Sequence, residues 1–440
     1  MKTTVAKFGG TSLSDAEQFR KVKAIILSDP SRRIIVASAP GKRSDEDRKV
    51  TDLLLDTWDC FEKGKDWQIP LNRVQTRFEE ICRGLDMNPD LSEEFEEIRE
   101  RLNTKPEKDY LISRGEYLNS RILAGFLGFT FVDPEWCVFF DENGQLNTDL
   151  SQRMMKAALL PLENAVIAGF YGSDASGRIH TLTRGGSDVT GSLAAAAVNA
   201  DLYENWTDVS GLLAADPRIV DHPKTVRYVT YRELRTLSYM GASVLHTDAV
   251  LPVSDLDIPI NIRNTDLPEE EGTTIIRSLP DGEIKYPIIG LAGKKGMSVI
   301  QIEKLMASDG AGFTAVVLDI LKSMRLPFEH CLTGIDTVTL VIRSDLLNPC
   351  RQELLNHIRE ELSPDYLGVS DHLSMIAVIG EKGSNSSYAN IRALNSLTDA
   401  GIPVSTINQG AGKLNLLIGV PEEKYEDAIR CIYRTIEIVR

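Results

Sequence analysis

Six cysteines in 440 residues, none in a C-x-x-C pair, leave no basis for a zinc knuckle or a disulfide framework; reduced thiols in a cytoplasm are the expectation. The six histidines show no metal-ligand spacing, so no resident metal is expected. No apolar run approaches the ~18 residues of a membrane span, and Gly9-Gly10 interrupts any signal-like stretch near the N-terminus. Positive charge is also in deficit. Against 64 Asp and Glu stand 49 Lys and Arg, a net charge of −15, which argues against nucleic acid or an anionic membrane as partner. A phosphate ligand needs only local charge and stays open. There is no G-x-x-x-x-G-K-[ST] loop, so a bound nucleotide would be held without a Walker motif.

What the chain does have begins at Val5-Ala6-Lys7-Phe8-Gly9-Gly10-Thr11-Ser12. A short apolar strand runs into a lysine and two glycines, where backbone N–H groups can crowd an anion with no Cβ in the way. A helix is expected directly after it, from Asp15, with Ser12 or Ser14 as its cap. Ile34 to Gly41 reads as a second buried strand ending in a small-residue turn, followed by a mixed-charge loop and a helix from Val50 to Phe61. The charged text from Trp67 to Leu102 reads as a helical layer without chemistry. Arg114-Gly115-Glu116 stands before a helix read from Tyr117 to Phe126, which makes Glu116 a first-turn carboxylate on the plain reading. Val166 to Gly172 is another buried strand. Arg184-Gly185-Gly186-Ser187-Asp188 follows, ahead of an alanine-rich helix. This second Gly-Gly turn carries an arginine suited to a bidentate carboxylate or phosphate contact, and an aspartate able to hold a lysine or Mg²⁺. Two such turns at strand ends point to an anionic-ligand crevice.

Strands alternate with helices over about 280 residues, which predicts an α/β domain on a mostly parallel sheet. The grammar changes near Leu279-Pro280-Asp281-Gly282, taken as a linker. Beyond it, a shift of 76 positions superposes Pro327 on Pro403, Gly334 on Gly410 and Leu340 on Leu416. Each copy reads strand, helix, strand, strand, helix. The first copy has a fourth strand near Tyr366 to Val369; the second lacks one. The strand Pro287 to Ala292, ahead of the first copy, is expected to complete the second sheet, nesting the first copy inside the second.

With those motifs in hand the chain resembles an aspartate kinase, a member of the amino-acid kinase family with two C-terminal ACT domains. The resemblance rests on Lys7-Phe8-Gly9-Gly10-Thr11-Ser12, Ser38-Ala39-Pro40-Gly41, Arg114-Gly115-Glu116, Arg184 to Asp188 and Trp206-Thr207-Asp208-Val209, and spans essentially the whole chain. It implies a three-layer kinase domain at 1–280, then ferredoxin-like βαββαβ ACT domains at 296–370 and at 285–295 plus 371–440. It implies transfer of the γ-phosphoryl group of ATP, with Mg²⁺, to the β-carboxylate of L-aspartate, giving 4-phospho-L-aspartate on the route to lysine, threonine and methionine. By the same resemblance Lys7 and Asp188 are catalytic, and Ser38, Thr51, Glu116 and Arg184 hold aspartate. Lys7, Gly9, Gly10, Thr207, Asp208, Leu213 and Arg218 take the nucleotide. The acceptor carboxylate is already ionised near neutral pH, so no general base is required.

For regulation, the resemblance implies an amino-acid effector, lysine or threonine, lined by Met306, Ser308, Gly312, Phe313, Thr314, Glu329, Thr333 and Gly334. Asp309 and Asp336 rival Glu329 as partner for the effector's ammonium. Paired ACT domains imply a homodimer or a dimer of dimers in the cytoplasm. One position departs from the family pattern. Where many members carry a phosphate-contacting lysine, this chain has Ser243, and Arg218 or Lys224 is the candidate substitute. That gap keeps an alternative in view, an amino-acid-sensing regulatory protein with an inactive kinase domain. A kinase for glutamate or acetylglutamate is the other rival.

Overall fold

Val5, Ala6, Phe8, Ile35, Val36, Ala37 and Val166 to Ala168 are fully buried, as expected of short apolar strands covered on both faces. The computed structural model describes residues 2–88, 90–182, 185–241, 245, 249–279, 288–306, 312–380, 386–409 and 415–435. The chain divides into two compact units. The first comprises Met1–Leu212, Thr225–Ser238 and Ser243–Glu283; the second comprises Leu213–Lys224, Tyr239–Ala242 and Ile284–Arg440.

In the first unit the strands are β1 (Thr4–Phe8), β2 (Arg32–Ala37), β3 (Thr130–Val132), β4 (Ala165–Ala168), β5 (Tyr171–Ser173), β6 (Ile179–Thr181), β7 (Leu202–Thr207), β8 (Tyr228–Thr230), β9 (Ile260–Asn264) and β10 (Thr273–Ile276). Eight of them form one sheet in the order β3-β4-β2-β1-β7-β9-β10-β8, while β5 and β6 pair separately. Every pairing in the large sheet is parallel except β9 with β10. Strand alternation sorts the two faces. Ala6, Phe8, Ile35, Ala37 and Trp206 join a core with Leu54, Phe78, Phe95 and Leu111 from the helices Val50–Glu62, Gln68–Gly84, Ser92–Thr104 and Lys108–Leu127. Lys7 faces the other way, toward Asp188 on the helix Gly186–Val198.

Three local expectations are corrected here. The first helix, Ala16–Ser28, is capped by Asp15, whose side chain accepts from the Gln18 N–H, not by Ser12 or Ser14. Ser12 lies inside a separate 3-10 turn, Thr11–Leu13, and Ser14 closes that turn as its C-cap. The helix bearing Glu116 starts at Lys108, so Glu116 lies in its middle and not its first turn. The strand expected over Val166 to Gly172 breaks at Phe170, whose φ of 79° redirects the chain from β4 into β5.

The second unit is built on an antiparallel sheet of β11 (Ile288–Glu303), β12 (His330–Thr333), β13 (Thr337–Arg343), β14 (Tyr366–Gly380), β15 (Thr406–Gln409) and β16 (Asn415–Pro421). The order is β12-β13-β11-β14-β16-β15. β11 and β14 are long strands that serve both halves of the sheet. Residues 297–303 pair with β13 and with the start of β14; residues 288–294 pair with its far end. Both strands bend midway, with register irregularities around Lys294 to Val299 and positive φ at Gly296 (75°) and His372 (59°). Ser298 ties the bend, bonding Ser344 Oγ at 2.8 Å and Asp371 Oδ1 at 2.6 Å, with Arg351 gripping the same carboxylate. In each half the lateral order of strands, counted along that copy of the repeat, is 2-3-1-4, with 288–294 taking the fourth place in the second copy.

Candidate active site

Parallel strands present their C-terminal ends and the following turns along one edge, and the candidate residues of the first unit gather there. β1 ends at Phe8, and Gly9 donates its N–H to Trp206 O at 2.9 Å. The turn at Gly10 lies directly against the one after β2: Gly41 N–H reaches Gly10 O at 2.7 Å, and a Cβ on Gly41 would fall 2.6 Å from Gly10 C and Thr11 N. Only glycine permits that backbone contact. Ser38 donates its N–H to Phe8 O at 3.2 Å, joining the second turn to the end of β1.

Lys7 is buried, and its Nζ lies 2.6 Å from Asp188 Oδ1. Asn205, the direct cross-strand neighbour of Lys7 on β7, closes a triangle. Its Oδ1 accepts from Lys7 Nζ at 3.3 Å and its Nδ2 donates to Asp188 Oδ1 at 3.1 Å. On the opposite face of β7, Glu204 is gripped by Arg32 at 2.7 Å and by Trp206 Nε1 at 2.9 Å, with Arg263 at 3.7 Å.

Glu116 is 6% exposed, and its Oε2 has no hydrogen-bond partner among the described residues. Burial pushes its carboxyl up to about 8, against a small opposing pull from the Ala39 amide and its own. Gly115 makes the placement possible, because a Cβ there would stand 3.0 Å from the Ala39 side chain. Three residues on, along the same helix face, Asn119 is fully buried; its Nδ2 donates to Ser38 O at 2.6 Å, and its Oδ1 also lacks a partner among the described residues. Two buried acceptors beside the β2 turn, both open, invite a donor-only group such as an ammonium. Arg114, by contrast, is committed to protein, its guanidinium over the rings of Tyr110 and Tyr117 at 4.4 Å each.

The other candidates divide. Thr51 is half-buried in the first turn of the helix Val50–Glu62. Thr207 ends β7, with its hydroxyl on Asp208 at 3.2 Å, and Asp208 is exposed. Leu213 is half-buried in the second unit, which also holds Arg218. The Arg218 side chain is 88% exposed and paired with Asp216 at 2.7 Å. Arg184 and Ser243 lie outside the described residues.

Among the effector candidates, Met306 is 65% exposed with φ 62°, and Gly312 precedes the helix Phe313–Ser323, in which Phe313 and Thr314 are half-buried. Phe313 packs on the core beneath it. Thr333 and Gly334 lie at the β12 end that shares an edge with this segment, through the pairing of Glu303 with Thr337. Glu329 precedes the other end of β12. There its carboxylate meets Lys294 at 3.3 Å and the Tyr239 hydroxyl. The length of β12 therefore separates Glu329 from Thr333 and Gly334. Ser308 and Asp309 lie outside the described residues.

Asn205 and Asn119 were not singled out in the sequence. The signal for Asn205 is its place on the strand that pairs with β1, and for Asn119 its spacing of three from Glu116; both become visible only with register and helix bounds known.

The chain is similar to known proteins along nearly its whole length. Residues 2–264 match the model of the amino acid kinase family and residues 376–436 that of the ACT domain. Aspartokinase 3 of Bacillus subtilis is 32% identical, over 98% of both chains. The crystal structure of Clostridium acetobutylicum aspartate kinase, described as an allosteric enzyme, has a TM-score of 0.88 at 39% identity, covering 99% of this chain and all of that one. Escherichia coli aspartokinase III, crystallised with aspartate and ADP, has a TM-score of 0.75 at 25% identity, covering 99% of each chain. The chain belongs to the amino acid kinase family, carries a C-terminal ACT domain, and stands among the aspartokinases.

Proposed function

We propose that the chain transfers the γ-phosphoryl group of ATP to the β-carboxylate of L-aspartate, under feedback control by an amino acid. The paired open acceptors of Glu116 and Asn119 carry this reading: an amino-acid substrate brings an ammonium with three donors and no acceptor. Arg184 takes the substrate's α-carboxylate in a bidentate clamp, while Ser38 and Thr51 supply hydroxyls on the same side. Lys7, held by Asp188, neutralises charge building on the transferring group, helped by the amides near Gly9 and Gly10. Thr207, Asp208, Leu213 and Arg218 hold the nucleotide. Mg²⁺ enters with ATP as part of the substrate. No helix among the described residues is long and apolar enough to cross a membrane.

The kinase domain spans 1–280, and the repeat forms two nested ACT domains, 296–370 and 285–295 plus 371–440. The recurrence of one strand order in both halves of the antiparallel sheet supports this division. Met306, Ser308, Gly312, Phe313, Thr314, Thr333 and Gly334 line the effector site in a homodimer or dimer of dimers, with lysine or threonine as ligand. Glu329 joins that site only by releasing Lys294.

The test is ATP turnover with L-aspartate, trapping the acyl phosphate with hydroxylamine, with and without lysine and threonine. Aspartate-dependent hydroxamate that declines when one of these amino acids is added supports both parts. Turnover indifferent to either removes the effector site. Absence of hydroxamate would favour the regulatory protein with an inactive kinase domain.

A further inference from the structure

Resting on the phosphoryl-transfer reading, we infer that Asn205 is a positioning residue for Lys7, fixing the direction of its ammonium without adding charge. Asn205 is 3% exposed and sits opposite Lys7 in the parallel pairing of β1 with β7. Its amide has one workable orientation. Oδ1 faces the ammonium and Nδ2 faces the carboxylate of Asp188; the reverse would set donor against donor and acceptor against acceptor. Two residues earlier on the same face, the Tyr203 hydroxyl donates to Asp188 O at 3.1 Å, so β7 holds Asp188 by backbone and side chain together.

An ammonium has three N–H groups. Asp188 and Asn205 take two, and the third points away from both. Preorganised charge stabilises a transition state only in the direction where charge develops, and a misplacement of ~1 Å costs about a hundredfold in rate. Asp188 alone leaves the ammonium free to swing about one contact. A second carboxylate would stop the swing but cancel the positive charge the reaction needs. A neutral amide does the first without the second. The other charges near β7, Glu204 with Arg32 and Arg263, lie on its opposite face and cannot take this part.

The test uses the full chain with Asn205→Leu and Asn205→Asp, assayed as aspartate-dependent hydroxamate at saturating ATP from pH 5.5 to 8.5. For Asn205→Leu, kcat is expected to fall about 30- to 100-fold at every pH, with KM for aspartate within about twofold of wild type. Asn205→Asp should be as slow at pH 8 and recover relative to wild type as pH falls. Once protonated, its carboxyl accepts from Lys7 through C=O and donates O–H to Asp188, as the amide does. Wild-type kcat in both variants overturns the inference. So does a loss that tracks the folded fraction by circular dichroism with a pH-independent ratio to wild type, since that is what a purely structural asparagine would give. If Asn205→Asp does not fold, the kcat and KM of Asn205→Leu decide alone. Wild type without hydroxamate would instead remove the phosphoryl-transfer reading, and this inference with it.

Discussion

Glu116→Gln removes one charge from a site where that charge is costly until substrate arrives. Burial raises the carboxyl from its ordinary 4.5 to about 8, so at pH 7 about one free molecule in ten carries the anion that an ammonium requires. Aspartate must then displace a proton to bind. In wild type the KM for aspartate should therefore fall about tenfold between pH 6 and pH 7 and level off above pH 8. Titration calorimetry at pH 7, in buffers of different ionisation enthalpy, should register release of close to one proton. The glutamine variant keeps the shape but loses a charge-assisted contact worth about 2 kcal/mol, which is about thirtyfold in KM above pH 8 and about threefold at pH 7, where wild type is mostly protonated. It should also lose the pH dependence. Stability gives an independent check with a definite sign. For an acid whose value is raised on folding, the stabilising contribution is full below about 4.5 and is lost as pH rises through about 8. The melting midpoint of the aspartate-free variant should accordingly exceed that of wild type at pH 9, by an amount equivalent to a few kcal/mol, and match it near pH 5. A KM that is flat from pH 6 to 8.5 in wild type, or unchanged in the variant, would refute the assignment of Glu116 to the substrate ammonium.

Three further outcomes are expected. Gly41→Ala sets a Cβ against Gly10 backbone, so the two turns must part; thermal melts should show a loss of about 1–3 kcal/mol together with a raised KM for ATP. Arg32→Ala leaves Glu204, 2% exposed, with the Trp206 Nε1 bond at 2.9 Å and, among the described residues, no cation nearer than Arg263 at 3.7 Å; urea unfolding should show about 3 kcal/mol less stability. Arg184→Ala should raise KM for aspartate by about tenfold or more with a smaller change in kcat, read by steady-state kinetics; unaltered aspartate kinetics would place the carboxylate clamp elsewhere.

Much of the site was legible in the chain because its chemistry is local. Lys7 with Gly9-Gly10, and Asp188 after Gly185-Gly186, sit at strand-to-helix junctions, and such junctions are marked by glycine and a switch of period from two to 3.6. Glu116 was recognised by motif but misplaced in its helix, since Glu107, at the start of that helix, makes no side-chain cap to announce it. In the second unit the repeat announced its strands, yet β11 and β14 each run through what reads as two separate strands; Gly296 looks like a break in the chain text, but there the bulge bends β11 without ending it. Glu329 and Thr333 look adjacent along the chain, but four residues of extended backbone hold them about 13 Å apart, at opposite ends of β12.

The sequence by itself determined the alternation of strand and helix, the two glycine turns, the repeat, and the shortage of positive charge. Each of these is a property of neighbouring residues. Tertiary structure alone decided which side chains meet. The pairing of β1 with β7 brings Asn205 to Lys7 across 198 positions, and helix packing seals Glu116 and Asn119 from water. A side chain's hydrogen-bond partners and its exposure are set by elements distant in sequence, and those two quantities leave the buried Glu116 carboxylate with an open oxygen and fix Lys7 against Asp188 and Asn205.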